Sequence, residues 1–115
     1  MTNNLELSYN SIVLMKGLEN MINNLYLENN NIVSLEGLNN MTYALHLYGN
    51  KITSCKGINK MIRNLDLSSN DIVSLEGLEN MRSYVDLSNN QIISCKGLEN
   101  MIDHLDLSSN QITDI

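Results

Sequence analysis

The chain has 115 residues, with seven Lys and Arg against thirteen Asp and Glu, and therefore a formal net charge of −6. It holds no Pro, Trp or Phe. Because no cluster of basic residues occurs, the composition argues against a nucleic-acid or anionic-membrane surface. The sequence has no apolar run long enough for a membrane span and no signal peptide, so we expect a cytoplasmic protein.

The whole chain is one unit of 20 residues that repeats without insertion. This periodicity predicts a single solenoid domain over residues 1–115. The end units are as apolar at the core positions as the middle ones, so we expect no capping repeats. The units begin at Leu5, Leu25, Leu45, Leu65, Val85 and Leu105.

Each unit opens with two apolar residues that flank one other residue, as in Leu25-Tyr26-Leu27. This alternation predicts a short strand, and short strands that recur in one direction stack into a parallel sheet. The stretch from Ile32 to the next strand is too short for a helix of several turns. We therefore expect extended chain, turns or a 3₁₀ turn on the outer side, with a bend at a Gly such as Gly37.

An Asn follows three residues after the second apolar strand position in every unit. Its side chain carries two donors and an acceptor, so it can bond backbone groups of its own coil and of the next coil. The predicted ladder consists of Asn10, Asn30, Asn50, Asn70, Asn90 and Asn110.

The shared pattern is clearest in the second unit, where it reads Leu25-x-Leu27-x-x-Asn30-x-Ile32-x-x-Leu35-x-x-Leu38. It resembles a leucine-rich repeat. The sequence from Leu75 to Ile92 is similar to leucine-rich repeats of the protein-phosphatase-1 regulatory subunit type. The unit length is similar to that of the bacterial effector type. The resemblance implies a mostly-β curved solenoid of the α/β class, with its parallel sheet on the concave face. A functional phosphatase-type resemblance would imply a phosphatase catalytic subunit as the partner.

The residue between the two apolar strand positions points outward onto the concave face. We expect Tyr26, His46 and Tyr48 to meet there, and three Asp to form a row with neighbours about 5 Å apart. Such an acidic and aromatic groove fits a protein or peptide partner with basic side chains. The alternative is that Leu-Asp-Leu-Ser is a common strand sequence in such repeats, with its polar side chains exposed to water. The predicted partner-binding residues are Tyr26, His46, Tyr48, Asp66, Asp86 and Asp106.

Catalytic and metal-binding patterns are weak in this sequence. His46 beside Asp66 would suggest an acid–base pair, as would His104 near the later Asp residues, but no motif activates a nucleophile beside them. One carboxylate per strand on a flat face does not surround a calcium ion. We therefore predict a non-enzymatic protein that needs no metal and no cofactor.

The two cysteines, Cys55 and Cys95, occupy the same position in units that lie two apart. Stacked strands would separate them by about 10 Å, beyond the roughly 7 Å that a disulfide allows between Cα atoms. We expect both to be reduced core residues, in keeping with a cytoplasmic compartment.

The uncapped ends support a second hypothesis, since the last unit stops half-way and residues 1–4 match the end of a preceding unit. Head-to-tail stacking of such ends does not close and would build a filament of identical chains. The alternative is a fragment of a longer array. The side chains predicted to form these ends are Leu5, Leu7, Leu105, Leu107, Ile112 and Ile115.

One outer column alternates strictly in charge from unit to unit. Neighbouring coils therefore place opposite charges side by side, and each exposed pair is worth roughly 0.2–1 kcal/mol. The column consists of Lys16, Glu36, Lys56, Glu76 and Lys96.

Overall fold

The computed structural model describes residues 4–20, 23–38, 43–58, 62–97 and 103–114. These ranges contain six short parallel strands in one sheet, whose spatial order is the chain order. No α-helix occurs in the described ranges, and no helix there is long and apolar enough to cross a membrane. The predicted mostly-β solenoid is confirmed. The strands are β1 (Asn4–Glu6), β2 (Asn24–Tyr26), β3 (Ala44–His46), β4 (Asn64–Asp66), β5 (Tyr84–Asp86) and β6 (His104–Asp106).

The register between strands follows the repeat, so each residue pairs with the one 20 positions later, as Leu25 does with Leu45. We number the coils 1 to 6 by the strand that opens each. Backbone pairing continues beyond the assigned strands, since the N–H of Asn29 donates to the carbonyl of Tyr48 at 2.9 Å. At the turn that follows the strand, the backbone of one residue per coil is in the left-handed region, with φ of 58° at Asn29 and 56° at Ser69.

The core is a continuous apolar column that runs inside the coils. The two apolar strand residues and the following Ile are fully buried in every inner coil. In coil 3, for example, Leu45, Leu47 and Ile52 have 0% exposure. Burial of one such side chain is worth about 1.5–3 kcal/mol. Because each coil is too thin to bury these side chains alone, stacking on neighbouring coils supplies most of the stability.

The ladder Asn residues connect successive coils through their amide groups. Asn50 Nδ2 donates to the carbonyls of Leu27 and Leu47, at 3.0 and 3.1 Å, and its Oδ1 accepts the N–H of Ile32 at 2.9 Å. Asn30, Asn70, Asn90 and Asn110 repeat this arrangement, while Asn10 bonds its own coil through Leu7. The coil reached is the preceding one and not the next one, since Leu27 and Ile32 belong to coil 2 and Asn50 belongs to coil 3.

The outer side of each coil consists of extended chain and turns. Leu78 N–H donates to the carbonyl of Leu75 at 3.1 Å, which closes a tight turn around Gly77. Gly77 has φ of +105°, and a Cβ there would lie 2.4 Å from the carbonyl oxygen of Cys55. This position therefore needs Gly both for its backbone conformation and for the close approach of the preceding coil.

The two end coils leave their strand Leu residues and the following Ile half-buried, although Met15 in coil 1 is fully buried. Leu5 and Leu7 in coil 1 are partly exposed, as are Leu105, Leu107 and Ile112 in coil 6, although all five pack against the core. The same positions are fully buried in the inner coils. Ile115 and residues 1–3, which the end-stacking hypothesis also uses, lie outside the described residues.

Candidate functional site

The solvent side of the sheet corresponds to the predicted concave face, and we call it the sheet face. Its central column consists of the last residue of each strand, which lies between two core side chains, and the register sets each member beside the next. Every member is half-buried except the exposed Glu6. The column consists of Glu6, Tyr26, His46, Asp66, Asp86 and Asp106.

Two aromatic rings stack in coils 2 and 3. The centroids of Tyr26 and His46 are 4.6 Å apart and the ring planes differ by 6°. Tyr48, which was expected to meet them, lines a depression at coils 1 to 3 together with Glu28 and Tyr9. The structure thus brings two of the three predicted aromatic contacts into direct ring contact and sets the third along a neighbouring depression.

The Asp residues form a row in coils 4 to 6, with Asp66 beside Asp86 and Asp86 beside Asp106. In each coil, one carboxylate oxygen accepts two hydrogen bonds from the Ser two residues later. Asp66 Oδ1 accepts the N–H of Ser68 at 3.0 Å and its hydroxyl at 2.6 Å. Among the described residues the second oxygen, Oδ2, accepts none, so it is the oxygen that can meet a ligand.

The same local motif changes acidity at both ends of the column. The hydroxyl and the N–H of Ser108 lower the pKa of the Asp106 carboxyl below its usual value. The hydroxyl and the N–H of Ser8 lower the pKa of Glu6 in the same way. Both groups are therefore charged at neutral pH, and for Asp106 the local hydrogen bonds offset part of the repulsion from the neighbouring Asp86.

A second stacked pair, Tyr84 and His104, lies one column nearer the start of the strands. Their centroids are 4.7 Å apart and the ring planes differ by 3°. Desolvation, and then the carboxylates of Asp86, Asp66 and Asp106, raise the pKa of Tyr84. The sequence prediction omitted this pair from the site, although reading the column in register places the two residues side by side.

A depression of about 520 Å³ lies between the aromatic pairs. Its floor includes Ala44, a small residue in a column where both neighbours are Asn. On one side the guanidinium of Arg63 lies 5.9 Å from the centroid of the Tyr43 ring, in a cation–π contact. The sequence prediction missed Tyr43 and Arg63, because both precede the strand. The depression is lined by Tyr43, Ala44, His46, Arg63, Asn64, Asp66 and Tyr84.

The described part of the sheet face contains neither a metal-binding cluster nor a cysteine thiol. In the part of the chain that the structure describes, no three His, Cys, Asp or Glu residues come close enough together to hold a metal ion. Both cysteines are free; Cys55 is fully buried, whereas Cys95 is partly exposed because it lies near the end of the stack. Burial raises the pKa of the Cys55 thiol to about 12.

The fold and the sheet face together define a parallel β-solenoid of 20-residue repeats with an aromatic and acidic surface. Comparison with known proteins adds no family to this description, because no family model and no curated protein matches the chain.

Proposed function

We propose that this chain is a leucine-rich-repeat interaction module that binds a polypeptide on its sheet face without catalysis. We propose that it acts in the cytoplasm, where the thiols of Cys55 and Cys95 would stay reduced. The observation that carries the proposal is the continuity of the face. Stacked rings, a mixed-charge depression and a row of carboxylates follow one another from coil 2 to coil 6.

The aromatic part of this face is prearranged for binding. Ring stacking restricts the side chains of Tyr26 and His46 before a partner arrives, so less conformational entropy is lost on association. Tyr is enriched among the residues that dominate interface energies. The rings and the depression beside Ala44 therefore supply the proposed anchor for an apolar or aromatic side chain of the partner.

The acidic part selects the charge of the partner. The row of Asp66, Asp86 and Asp106 presents its second carboxylate oxygens at the spacing of strands, about 4.8 Å. Basic side chains would form charge-assisted hydrogen bonds with them, and the interaction would weaken as salt is added. A polypeptide with Arg or Lys beside an aromatic residue is the proposed partner class.

The test is a peptide array probed with the labelled chain, followed by calorimetry on the peptides that bind. The double variant Tyr26→Ala/Tyr48→Ala should weaken binding at least about tenfold, since loss of an interface anchor costs more than about 1 kcal/mol. Asp86→Asn should weaken binding mainly at low salt. Glu19→Gln removes the same charge away from the sheet face and should leave affinity unchanged. Binding that none of these face variants alters would rule the proposal out.

We propose end-to-end assembly as the second candidate function. The half-buried Leu5 and Leu7 at one end, and Leu105 and Leu107 at the other, support it, because a stacked coil would bury them as it does in the inner coils. Negative-stain electron microscopy of a concentration series should then show long thin fibres. Ile112→Asp should abolish them, whereas Tyr26→Ala/Tyr48→Ala should not. Discrete particles at every concentration would exclude this assembly.

A further inference from the structure

A second ordered surface lies away from the sheet face, on the segment that follows each ladder Asn. One β-branched residue per coil points outward there, directly after the buried Ile. Val13, Val33, Val73 and Ile93 are exposed at 49%, 42%, 50% and 56%. In register across the coils these side chains form two apolar pairs with Thr53 between them, and exposed apolar patches of this kind mark interaction sites. The full column is Val13, Val33, Thr53, Val73, Ile93 and Thr113.

The alternating charges border the same stripe. A depression of about 500 Å³ is lined by Val73 and Ile93 together with Glu76 and Lys96, so the apolar and the charged columns share one surface. Lys56 Nζ lies 3.5 Å from Glu76 Oε2, and both side chains are more than 60% exposed, at 67% and 63%. These charges are therefore available to a second molecule. We call the apolar and charged columns together the lateral face.

We infer that the lateral face pairs with the lateral face of a second copy of this chain, around a two-fold axis that crosses the solenoid at right angles. Such an axis lies in the interface and reverses the order of the coils in the second copy. In the register centred between coils 3 and 4, coil 3 faces coil 4 and coil 2 faces coil 5. Every one of the six coils then has a counterpart.

The charges decide in favour of this arrangement. Reversal of an alternating column sets opposite signs against each other, so Lys56 faces Glu76 of the second copy, and Glu36 faces Lys96 of the second copy. The outward residues two positions before the stripe also meet opposite charges, since Lys51 faces Asp71 of the second copy. An axis parallel to the solenoid and over the stripe would instead place each coil against itself, so Lys56 would face Lys51 of the second copy, and Glu76 would face its Asp71.

The apolar stripe matches in the same register. Val33 lies against Ile93 of the second copy, and Thr53 against Val73. A stripe of six coils is about 24 Å long, so the contact is smaller than the roughly 800 Å² per partner of a standard interface. The dimer is therefore weak, and dissociation in the micromolar to millimolar range is expected. It leaves both sheet faces open, so the pair would bind a partner with two sites more tightly than one chain does.

Sedimentation equilibrium of the 115-residue chain, from micromolar to millimolar concentration, measures the association. We expect a monomer–dimer equilibrium that stops at two in the Ile112→Asp variant, in which end-to-end assembly is blocked. Lys56→Glu should raise the dissociation constant about tenfold, because it turns two symmetry-related attractions into repulsions; this change equals about 1.4 kcal/mol. The charge swap Lys56→Glu/Glu76→Lys should restore the affinity, and circular dichroism should show that both variants fold.

A zero-length carboxyl–amine cross-link identifies the surfaces in contact. Glu36 and Lys96 are three coils apart in one chain, about 14 Å, which is too far for such a link within a molecule. A Glu36–Lys96 link found only in the cross-linked dimer supports the reversed pairing. A monomer throughout, a dimer without this link, or failure of the charge swap to restore affinity overturns it. Tyr26→Ala/Tyr48→Ala, which tests the sheet face, should leave the dimer unchanged, so the two proposals fail separately.

Discussion

Asn70 accepts a hydrogen bond at 2.9 Å, through its side-chain oxygen, from the backbone N–H of Ile52, a residue 18 positions earlier in the chain. The same amide donates to Leu47 in the preceding coil and to Leu67 in its own coil. Its Nδ2 also donates to the carbonyl of Ser68 at 3.1 Å, so one buried side chain bonds four backbone groups on two coils. Because water cannot reach them, the bonded groups of Leu47, Ile52 and Leu67 have no alternative partner when the amide is absent.

Asn70→Ala should lower the free energy of unfolding by about 3 kcal/mol or more, since each buried backbone group left unsatisfied costs about 1–3 kcal/mol. Asn10 is the matched control, because it is exposed and bonds only its own coil. Asn10→Ala should cost about 1 kcal/mol or less. Urea denaturation followed by circular dichroism measures both. Equal midpoints for the two variants would show that the inner ladder bonds contribute little.

Gly77→Ala should destabilise the solenoid by more than Gly97→Ala. Both residues have positive φ, of +105° and +100°, so both variants have similar backbone strain. Only at Gly77 does the added methyl group meet backbone, with the carbonyl oxygen of Cys55 at 2.4 Å; at Gly97 the nearest atom is the Leu75 Cβ, at 3.5 Å. We expect a difference of about 1–3 kcal/mol from the overpacking. Thermal melts of the two variants side by side measure it, and coincident melts would contradict the proposed close approach.

The two thiols should differ in reactivity at pH 8. Cys55 is buried and the pKa of its thiol is about 12, so almost no thiolate is present, whereas Cys95 is partly exposed. A colorimetric thiol reagent should label one thiol per native chain, and none in a Cys95→Ser variant until urea unfolds it. Rapid labelling of the native Cys95→Ser chain would contradict the burial.

The raised pKa of Cys55 also has a consequence for alkaline stability. The unfolded thiol ionises near its usual value of 9.0, while the folded thiol holds its proton up to a pH of about 12. The stabilisation from this residue is thus fully present below pH 9.0 and is lost as the pH rises towards 12. Cys55→Ala should flatten the decline of the melting temperature in that window. An unchanged slope would speak against the assignment.

Ser108→Ala should raise the pKa of the Asp106 carboxyl towards its usual value of 3.8, because it removes the hydroxyl that lowers it most. A lowered folded pKa stabilises the protein above pH 3.8, and this contribution disappears as the pH falls through the folded value. Carbon-detected NMR titration reports the pKa directly. Ser94→Ala is the control, since the Ser94 hydroxyl accepts a hydrogen bond from the N–H of Lys96 and lies in a different coil from Asp106. If the pKa of Asp106 shifted in Ser94→Ala and not in Ser108→Ala, the assignment would be refuted.

Much of the sheet face follows from the repeat, although the ring contacts do not. A constant unit of 20 residues sets Tyr26 beside His46 and Asp66 beside Asp86, because equivalent positions must pair in a parallel stack. The orientation of side chains was not predictable in this way. The stacking of Tyr84 on His104 and the position of Arg63 over Tyr43 depend on rotamers that the neighbouring coils select.

The sequence by itself determined the period, the strand positions, the apolar core and the ladder of Asn residues, because each follows from a pattern that is local to one unit. Tertiary structure decided what depends on the relation between coils. Asn70 bonds the preceding coil, and the left-handed backbone position includes Tyr9, at φ of 59°, where no local preference favours it. The lateral face also appears only after folding, when residues 20 apart align on one surface.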